Sequence, residues 1–223
     1  MNETRNLEGK LYQFTNYVAQ MLLINFYIVI GSLMGIVIFG AAPAVYAGLK
    51  LIKEIVEEEK DSNLFIRFMK YYRANFVKAN KIWFSYGLIF LILGMNIFYY
   101  DSQLADSFFK VCILVINYCL IFVTFLSFMT YMGIDLRFDG RVKQQIKMSI
   151  LFPIFYFINT IGYLIAGVAI FFVLTLFSQF IAFLFATAYC YLNHYYISAM
   201  VMKFKKLQEE KTQQQSLVIG STS

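Results

Sequence analysis

One long polar stretch, GAAPAVYAGLKLIKEIVEEEKDSNLFIRFMKYYRANFVKANK at residues 40–81, interrupts a chain that otherwise consists of apolar runs. It begins at Gly40, where an apolar run stops. Pro43 follows, and proline suits the first turn of a new helix because its missing N–H is not needed there. The stretch carries 8 of the chain's 19 Lys and Arg residues. It therefore separates the apolar segments on either side and indicates on which side of a membrane they are joined.

The composition is that of a membrane protein. The 223 residues are 60% hydrophobic and 14% charged, whereas soluble chains average about 25% charged residues. No Asp, Glu, Lys or Arg occurs in residues 11–49, 82–100, 111–134 or 148–202. A helix needs about 20 apolar residues to cross a bilayer, so the first three intervals hold one span each and the last holds two. We predict an all-α, polytopic helical membrane protein with about five transmembrane helices plus a cytoplasmic amphipathic helix pair.

The charge-free intervals and the turn residues between them give the segment boundaries. The predicted spans are residues 17–40, 82–100, 108–133, 148–171 and 177–201. The remaining segments are an N-terminal segment (1–16), the helical hairpin (41–81), an outer loop (101–107), a cytoplasmic loop (134–147) and a cytoplasmic tail (202–223), which we expect to be disordered from Glu209 onward.

The second helix of the hairpin, residues 64–81, is basic and amphipathic. Phe65, Phe68, Met69, Tyr72 and Phe76 recur at helical spacing. Five bases lie mainly off this stripe: Arg67, Lys70, Arg73, Lys78 and Lys81. Such a helix either docks on a partner or an anionic lipid surface, or presents an ordinary solvated face beside the next span.

The orientation follows from the distribution of Lys and Arg, which collect on the cytoplasmic side. Residues 41–81, the loop after the third span and the tail hold eight, four and four bases, whereas the outward loops hold at most Lys110. We therefore expect the N-terminus outside and the C-terminus inside. Because the net charge of +6 comes from bases that flank spans, we expect no nucleic-acid partner.

Several pieces of residues 35–81 resemble the YesL-like family of small bacterial integral membrane proteins. The similar positions include Gly40 and Pro43 and the run 72–80, YRANFVKAN. The residues that carry this motif are Gly40, Pro43, Tyr72, Asn75, Phe76, Lys78 and Asn80. The resemblance implies a multi-pass plasma membrane protein, often encoded near carbohydrate uptake and degradation genes. It implies no reaction, because the family has no assigned molecular activity.

Small and polar residues in the predicted spans indicate helix contacts. Gly31 and Gly35 form a GxxxG pair, which allows another helix to approach closely, either within the chain or in a homo-oligomer. Asn25, Asn159, Asn193 and Gln179 are polar residues at membrane depth, which either join helices or line a polar pathway. The single histidine, His194, is expected to form hydrogen bonds near the inner interface.

No residue pattern indicates catalysis. The chain has no GxSxG, HExxH or P-loop motif, its three cysteines lie in spans, and one histidine does not make a zinc site. We therefore expect no enzyme activity, no catalytic residue, no metal and no cofactor.

The leading hypothesis is a non-catalytic accessory or regulatory membrane protein, associated with a carbohydrate uptake system through residues 44–81. Its partners would be the bilayer and a transporter subunit or another membrane protein. The alternative is a small transporter or channel for a polar solute.

Overall fold

A computed structural model describes residues 2–58, 63–103, 107–138, 140–176 and 181–220. All regular structure in these residues is helical, which confirms the prediction of an all-α, polytopic membrane protein. The helices are α1 (Asn2–Met34), α2 (Ala41–Glu58), α3 (Leu64–Gln103), α4 (Phe108–Asp135), α5 (Val142–Phe155), α6 (Phe157–Leu176) and α7 (Ile181–Gly220).

Three helical segments in the described part of the chain are long and apolar enough to cross a membrane: Thr15–Met34, Leu64–Gln103 and Phe108–Asp135. The pair α5 and α6 makes a fourth if it is counted as one span. The predicted fifth span, 177–201, begins at residues outside the described part, so the count of five stays a prediction. The tail expected to be disordered from Glu209 is helical through Gly220.

The helix α3 joins two segments that the sequence separates. It runs from Leu64 to Gln103 without a break, so the basic helix 64–81 and the predicted span 82–100 are one helix. At 1.5 Å per residue its 40 residues extend roughly 60 Å, about twice the thickness of the hydrocarbon layer. The five bases all lie in its first half. Only its second half is therefore suited to hydrocarbon.

The chain divides into two compact units, and the first comprises residues 1–89 and 166–192. In this unit α1 and α2 form an antiparallel hairpin, because Gly48 of α2 lies against Ile24 and Ile28 while Ala44 lies near Gly31. The following helix α3 packs antiparallel to α2. The buried side chains of the three helices include Ile24, Ile28, Leu49, Ile52 and Phe68.

The helices α1 and α3 run in the same direction. Their contacts follow the chain order of both helices: Tyr27 with Phe65 and Phe68, Gly31 with Tyr72, and Phe39 with Asn80 and Phe84. The predicted orientation has the first span entering the cell and the second leaving it, which requires the two helices to be antiparallel. In the structure the two helices are parallel because α2 folds back along α1, a pairing that a count of loop charges does not detect. The orientation of the chain in the membrane stays a prediction.

The second unit comprises residues 90–165 and 193–223. Its core consists of Ile134, Phe152, Ile197, Met200 and Val201, contributed by α4, α5 and α7. Around this core lie the partly buried side chains of Phe138, Met148, Tyr156 and Phe204.

The predicted fourth span, 148–171, is not straight. The helices α5 and α6 meet at an angle of 91° around Tyr156. Pro153 lies in the last turn of α5 and has no N–H to donate to the carbonyl oxygen of Ser149. The hydroxyl of Thr130 on α4 donates to that oxygen instead, at 3.0 Å, so α4 satisfies the acceptor that the proline leaves without a partner.

Candidate functional site

A partly buried ionic contact fastens α2 to the basic half of α3. The carboxylate of Glu54 accepts hydrogen bonds from the guanidinium of Arg67 and from the hydroxyl of Tyr71. The side chains of Glu54 and Arg67 are only 13% and 12% exposed. The ammonium group of Lys50 lies 4.3 Å from the centre of the Tyr71 ring, a cation–π geometry. Arg67, predicted as part of an interaction surface, is therefore engaged between α2 and α3.

The other four predicted bases form an exposed face on α3. Lys70, Arg73, Lys78 and Lys81 are all exposed, and their spacing of three, five and three residues keeps them on one side of the helix. The apolar side chain of Val77 is exposed among them. We call Lys70, Arg73, Lys78 and Lys81 the basic face.

Two residues of the predicted motif connect α3 to the end of α1 and to the turn after it. The hydroxyl of Tyr72 donates to the carbonyl oxygen of Gly31 at 2.9 Å. The side-chain amide of Asn80 donates to the carbonyl oxygen of Phe39 at 2.8 Å. The motif residues Tyr72 and Asn80 therefore hold the α1–α2 hairpin against α3.

The remaining motif residues act locally. The amide of Asn75 donates to the carbonyl oxygen of Tyr71 in its own helix at 2.9 Å. The ring of Phe76 packs edge-on against Tyr72, with ring centres 5.6 Å apart. Pro43 lies in the first turn of α2.

The glycine pair serves contacts within the chain. A Cβ atom at Gly31 would lie 3.1 Å from the ring of Phe68 and 3.2 Å from the Cβ atom of Ala44. Gly35 lies just past the end of α1 and faces Gly40 across the turn, where a Cβ atom on Gly40 would lie 2.9 Å from the Cα atom of Gly35. The surface predicted for another helix is thus occupied at Gly31 by the chain's own α2 and α3.

In the second unit, Arg137 binds a group of acceptors near the end of α4. Its guanidinium donates to the Nδ1 atom of His194 at 2.9 Å, to the hydroxyl of Ser198 at 2.6 Å and to the carbonyl oxygen of Gly133 at 3.0 Å. A guanidinium carries no acceptor, so Nδ1 is the accepting nitrogen. His194 therefore ties α7 to Arg137 at the end of α4 by a hydrogen bond.

The other polar residues at membrane depth differ in their partners. The amide of Asn193 donates to the carbonyl oxygen of Met129 at 2.7 Å, and the Oδ1 atom of Asn159 accepts from Lys203 at 2.9 Å. Asn25 on α1 is fully buried, and neither polar atom of its side chain has a hydrogen-bond partner among the residues that the structure describes. Gln179 lies outside the described residues. Asn193 and Asn159 join helices through these bonds, although the Oδ1 atom of Asn193, like the amide of Asn25, is buried without a partner among the described residues.

An apolar groove lies between α5 and α7 in the second unit. It has a volume of about 690 Å³, and its polar side chains include Lys147 and Lys211. Across the described ranges no group of three or more His, Cys, Asp or Glu side chains is arranged to hold a metal ion. The site with the most specific geometry remains the α2–α3 pair.

Sequence reasoning did not identify Glu54 and Tyr71 as site residues. The spacing of Lys50 and Glu54 indicates an ion pair within α2, but the carboxylate of Glu54 accepts a hydrogen bond from Arg67 on α3. The short connection between α2 and α3 is a usable signal, because it makes the two helices antiparallel neighbours. An acidic residue near the end of one then lies opposite a basic residue near the start of the next.

Comparisons with known proteins point to relatives without an assigned activity. A family model described as "Protein of unknown function, DUF624" matches residues 21–97, the segment that holds the α1–α2 turn and the basic face. The uncharacterized protein YteU of Bacillus subtilis (strain 168) is 21% identical over 199 residues, which are 89% of this chain and 88% of that protein.

A second relative from the same organism, the uncharacterized protein YesV, is 25% identical over 146 residues, or 65% of this chain and 70% of that protein. No solved structure matches the chain. The chain is thus similar to a family of proteins of unknown function.

Proposed function

We propose that this chain is a non-catalytic accessory or regulatory protein of the plasma membrane that docks on a membrane partner through the basic face. The observation that carries the proposal is the different treatment of the five bases in α3. Arg67 is largely covered and forms an ion pair with Glu54 of α2. The other four side chains are exposed: Lys70, Arg73, Lys78 and Lys81. A cluster of like charges on a rigid helix suits an acidic segment of another protein, because complementary charge speeds and orients association.

The proposed location of the basic face is the cytoplasmic side, since Lys and Arg resist translocation. The C-terminus lies on the same side in this proposal, because four bases follow residue 201. The similarity of residues 21–97 to a family of unknown function supports a shared role for this segment. We extend the YesL-like resemblance to the partner and propose a transporter subunit of a carbohydrate uptake system.

The test is crosslinking in living cells from a photoreactive amino acid at Val77, which is exposed among the four bases. The parent protein is expected to give a discrete adduct that mass spectrometry identifies. The variant K70Q/R73Q/K78Q should lose the adduct while its amount in the membrane is unchanged. Arg67 is left intact because its replacement would also disturb the contact with Glu54.

A matched control removes three other exposed charges, in the variant K143Q/K205Q/K206Q. This variant should keep the adduct. Loss of the adduct in both variants, or in neither, would contradict docking through the basic face. Adducts with lipid alone would assign the face to the anionic membrane surface instead of a protein partner.

The buried amide of Asn25 supports a second candidate function, a small transporter or channel for a polar solute. A buried amide without a hydrogen-bond partner is costly, and a passing polar solute would provide one. Solute flux into reconstituted vesicles should then fall in the N25L variant and persist in N117L, because the side-chain amide of Asn117 already donates to the carbonyl oxygen of Ile113 in its own helix. Absence of flux for a panel of sugars and ions would remove this candidate.

A further inference from the structure

The turn between α1 and α2 exposes a continuous apolar surface. Ile36 is 80% exposed, and its neighbours Val37, Ile38 and Phe39 are each at least half exposed. We call residues 35–40 the hairpin tip. Four consecutive apolar side chains at a turn are unusual for a surface in water, where polar turn residues are the rule.

The backbone of the hairpin tip is unfavourable for the residues that occupy it. Ile36 and Val37 have φ angles of 54° and 55°, in the left-handed region that β-branched residues rarely adopt. Glycine or asparagine would adopt this conformation at lower cost. Strained residues persist where they serve a function. Here the branched apolar side chains of Ile36 and Val37 suit contact with an apolar medium.

The position of the hairpin tip along α3 indicates which medium that is. Phe39 is hydrogen-bonded to Asn80, and its ring lies 5.2 Å from the ring of Phe84. Lys78 and Lys81 are within one turn of these contacts. From Phe84 to residue 100 most of the exposed side chains of α3 are apolar, including Leu88, Leu91, Ile92, Met95 and Phe98; Ser85 and Asn96 are the exposed polar ones. The tip is therefore level with the change from basic to apolar surface.

From the hairpin tip, α1 and α2 both extend toward the basic end of α3. The helix α1 runs parallel to α3, with Tyr27 beside Phe65 and Gly31 beside Tyr72. The helix α2 then runs back and ends near the start of α3, where Glu54 meets Arg67. The start of α1, the end of α2 at Glu58 and the start of α3 at Leu64 are therefore at the same end of this three-helix arrangement.

We propose that the α1–α2 hairpin is re-entrant: the hairpin tip inserts among the acyl chains of the leaflet on the basic side, and the N-terminus lies on that side too. If residue 12 and residue 63 lay on opposite sides of the membrane, α1 and α3 would have to separate. Crossing by α1 alongside α3 as they stand would instead carry the exposed bases of α3 into hydrocarbon. Lys and Arg are among the residues that are least favourable at the centre of a bilayer.

The first test compares sides. Single cysteines replace Tyr12, Asn63 or Ser102 in a C112A/C119A/C190A background, and intact cells are treated with a thiol reagent that does not cross membranes. Residues 63 and 102 mark the two ends of α3. Tyr12→Cys should behave like Asn63→Cys and differ from Ser102→Cys. Labelling of Tyr12→Cys together with Ser102→Cys, and not with Asn63→Cys, would overturn the proposal.

The second test measures depth with tryptophan fluorescence in vesicles of brominated phospholipid. The only tryptophan is removed by W83F, and a new one replaces Ile38 in the tip or, as a control, the exposed Val56 at the opposite end of α2. Bromine attached to the acyl chains should remove most of the emission of Ile38→Trp and little of that of Val56→Trp. Equal, weak quenching of both would overturn insertion of the tip.

Discussion

The side-chain amide of Asn80 on α3 donates to the carbonyl oxygen of Phe39 in the α1–α2 turn, at 2.8 Å across 41 residues of sequence. The same nitrogen also donates to the carbonyl oxygen of Phe76, one turn earlier in its own helix. One amide thus holds the turn at a fixed height along α3. This contact determines where the exposed side chains of the hairpin tip lie relative to the basic face.

Replacement of Asn80 should loosen the hairpin tip. The variant N80A removes both bonds of this amide, whereas N75A removes only a bond within α3, from Asn75 to Tyr71. The bond to Phe39 should make N80A less stable than N75A by about 1 kcal/mol. Thermal unfolding of the purified protein in detergent measures the difference. Equal midpoints for the two variants would show that the bond to the turn does not contribute.

The contact between Glu54 and Arg67 should be worth more than an exposed pair. A double-mutant cycle with E54Q and R67Q is expected to give a coupling energy of about 1 kcal/mol or more, because both side chains are largely buried and the contact is hydrogen-bonded. The control is Lys53 and Glu57, whose charged atoms are 3.9 Å apart and whose side chains are 27% and 41% exposed.

The control cycle, with K53Q and E57Q, should give only about 0.3 to 0.5 kcal/mol. Both cycles are read from thermal unfolding in the same detergent. A coupling between Glu54 and Arg67 no larger than that of the control would mean that the ionic contact does not fasten α2 to α3.

Two glycines should respond in opposite directions to replacement by alanine. A Cβ atom at Gly133 would overlap the side chain of Asn193 and lie 2.9 Å from Ile197. At Gly87, apart from its chain neighbours and the backbone of its own helix, no atom of the described residues lies within 4 Å of the corresponding position. We expect G87A to keep or raise stability by up to about 1 kcal/mol and G133A to lower it. The double variant G133A/N193A should recover part of the loss. Equal effects of G87A and G133A on the unfolding midpoint would contradict close packing of α4 and α7.

The acceptor that His194 offers to Arg137 should be replaceable by asparagine. The Oδ1 atom of asparagine reaches nearly the position of Nδ1, whereas the longer glutamine side chain places its oxygen farther out. H194N should therefore retain more thermal stability than H194A, with a difference of about 1 kcal/mol for the retained bond. H194Q should resemble H194A. Equal midpoints for all three variants would show that the bond to Nδ1 is dispensable.

The sequence predicts the helix break before α2 but not the ionic contact between α2 and α3. Gly40 and Pro43 lie next to the start of α2 at Ala41, because these residues act on the local backbone. The end of α1 at Met34 comes six residues before the end of the predicted span at residue 40. The role of Arg67 was not predictable from its spacing, since an exposed base and a paired base occupy the same positions of an amphipathic pattern. Only the packing of α2 against α3 places Glu54 within reach of Arg67.

By itself, the sequence determined that the protein is helical and polytopic in a membrane, and that a basic segment separates apolar runs. Length, hydropathy and charge act locally on each segment, so these properties can be read without knowing the partners of any helix. Tertiary structure decided that α1 and α3 are parallel, that α3 is continuous and that Arg67 is internal. Those features depend on contacts between residues as far apart as Phe39 and Asn80, because side-chain packing and interhelical hydrogen bonds select which helices are neighbours.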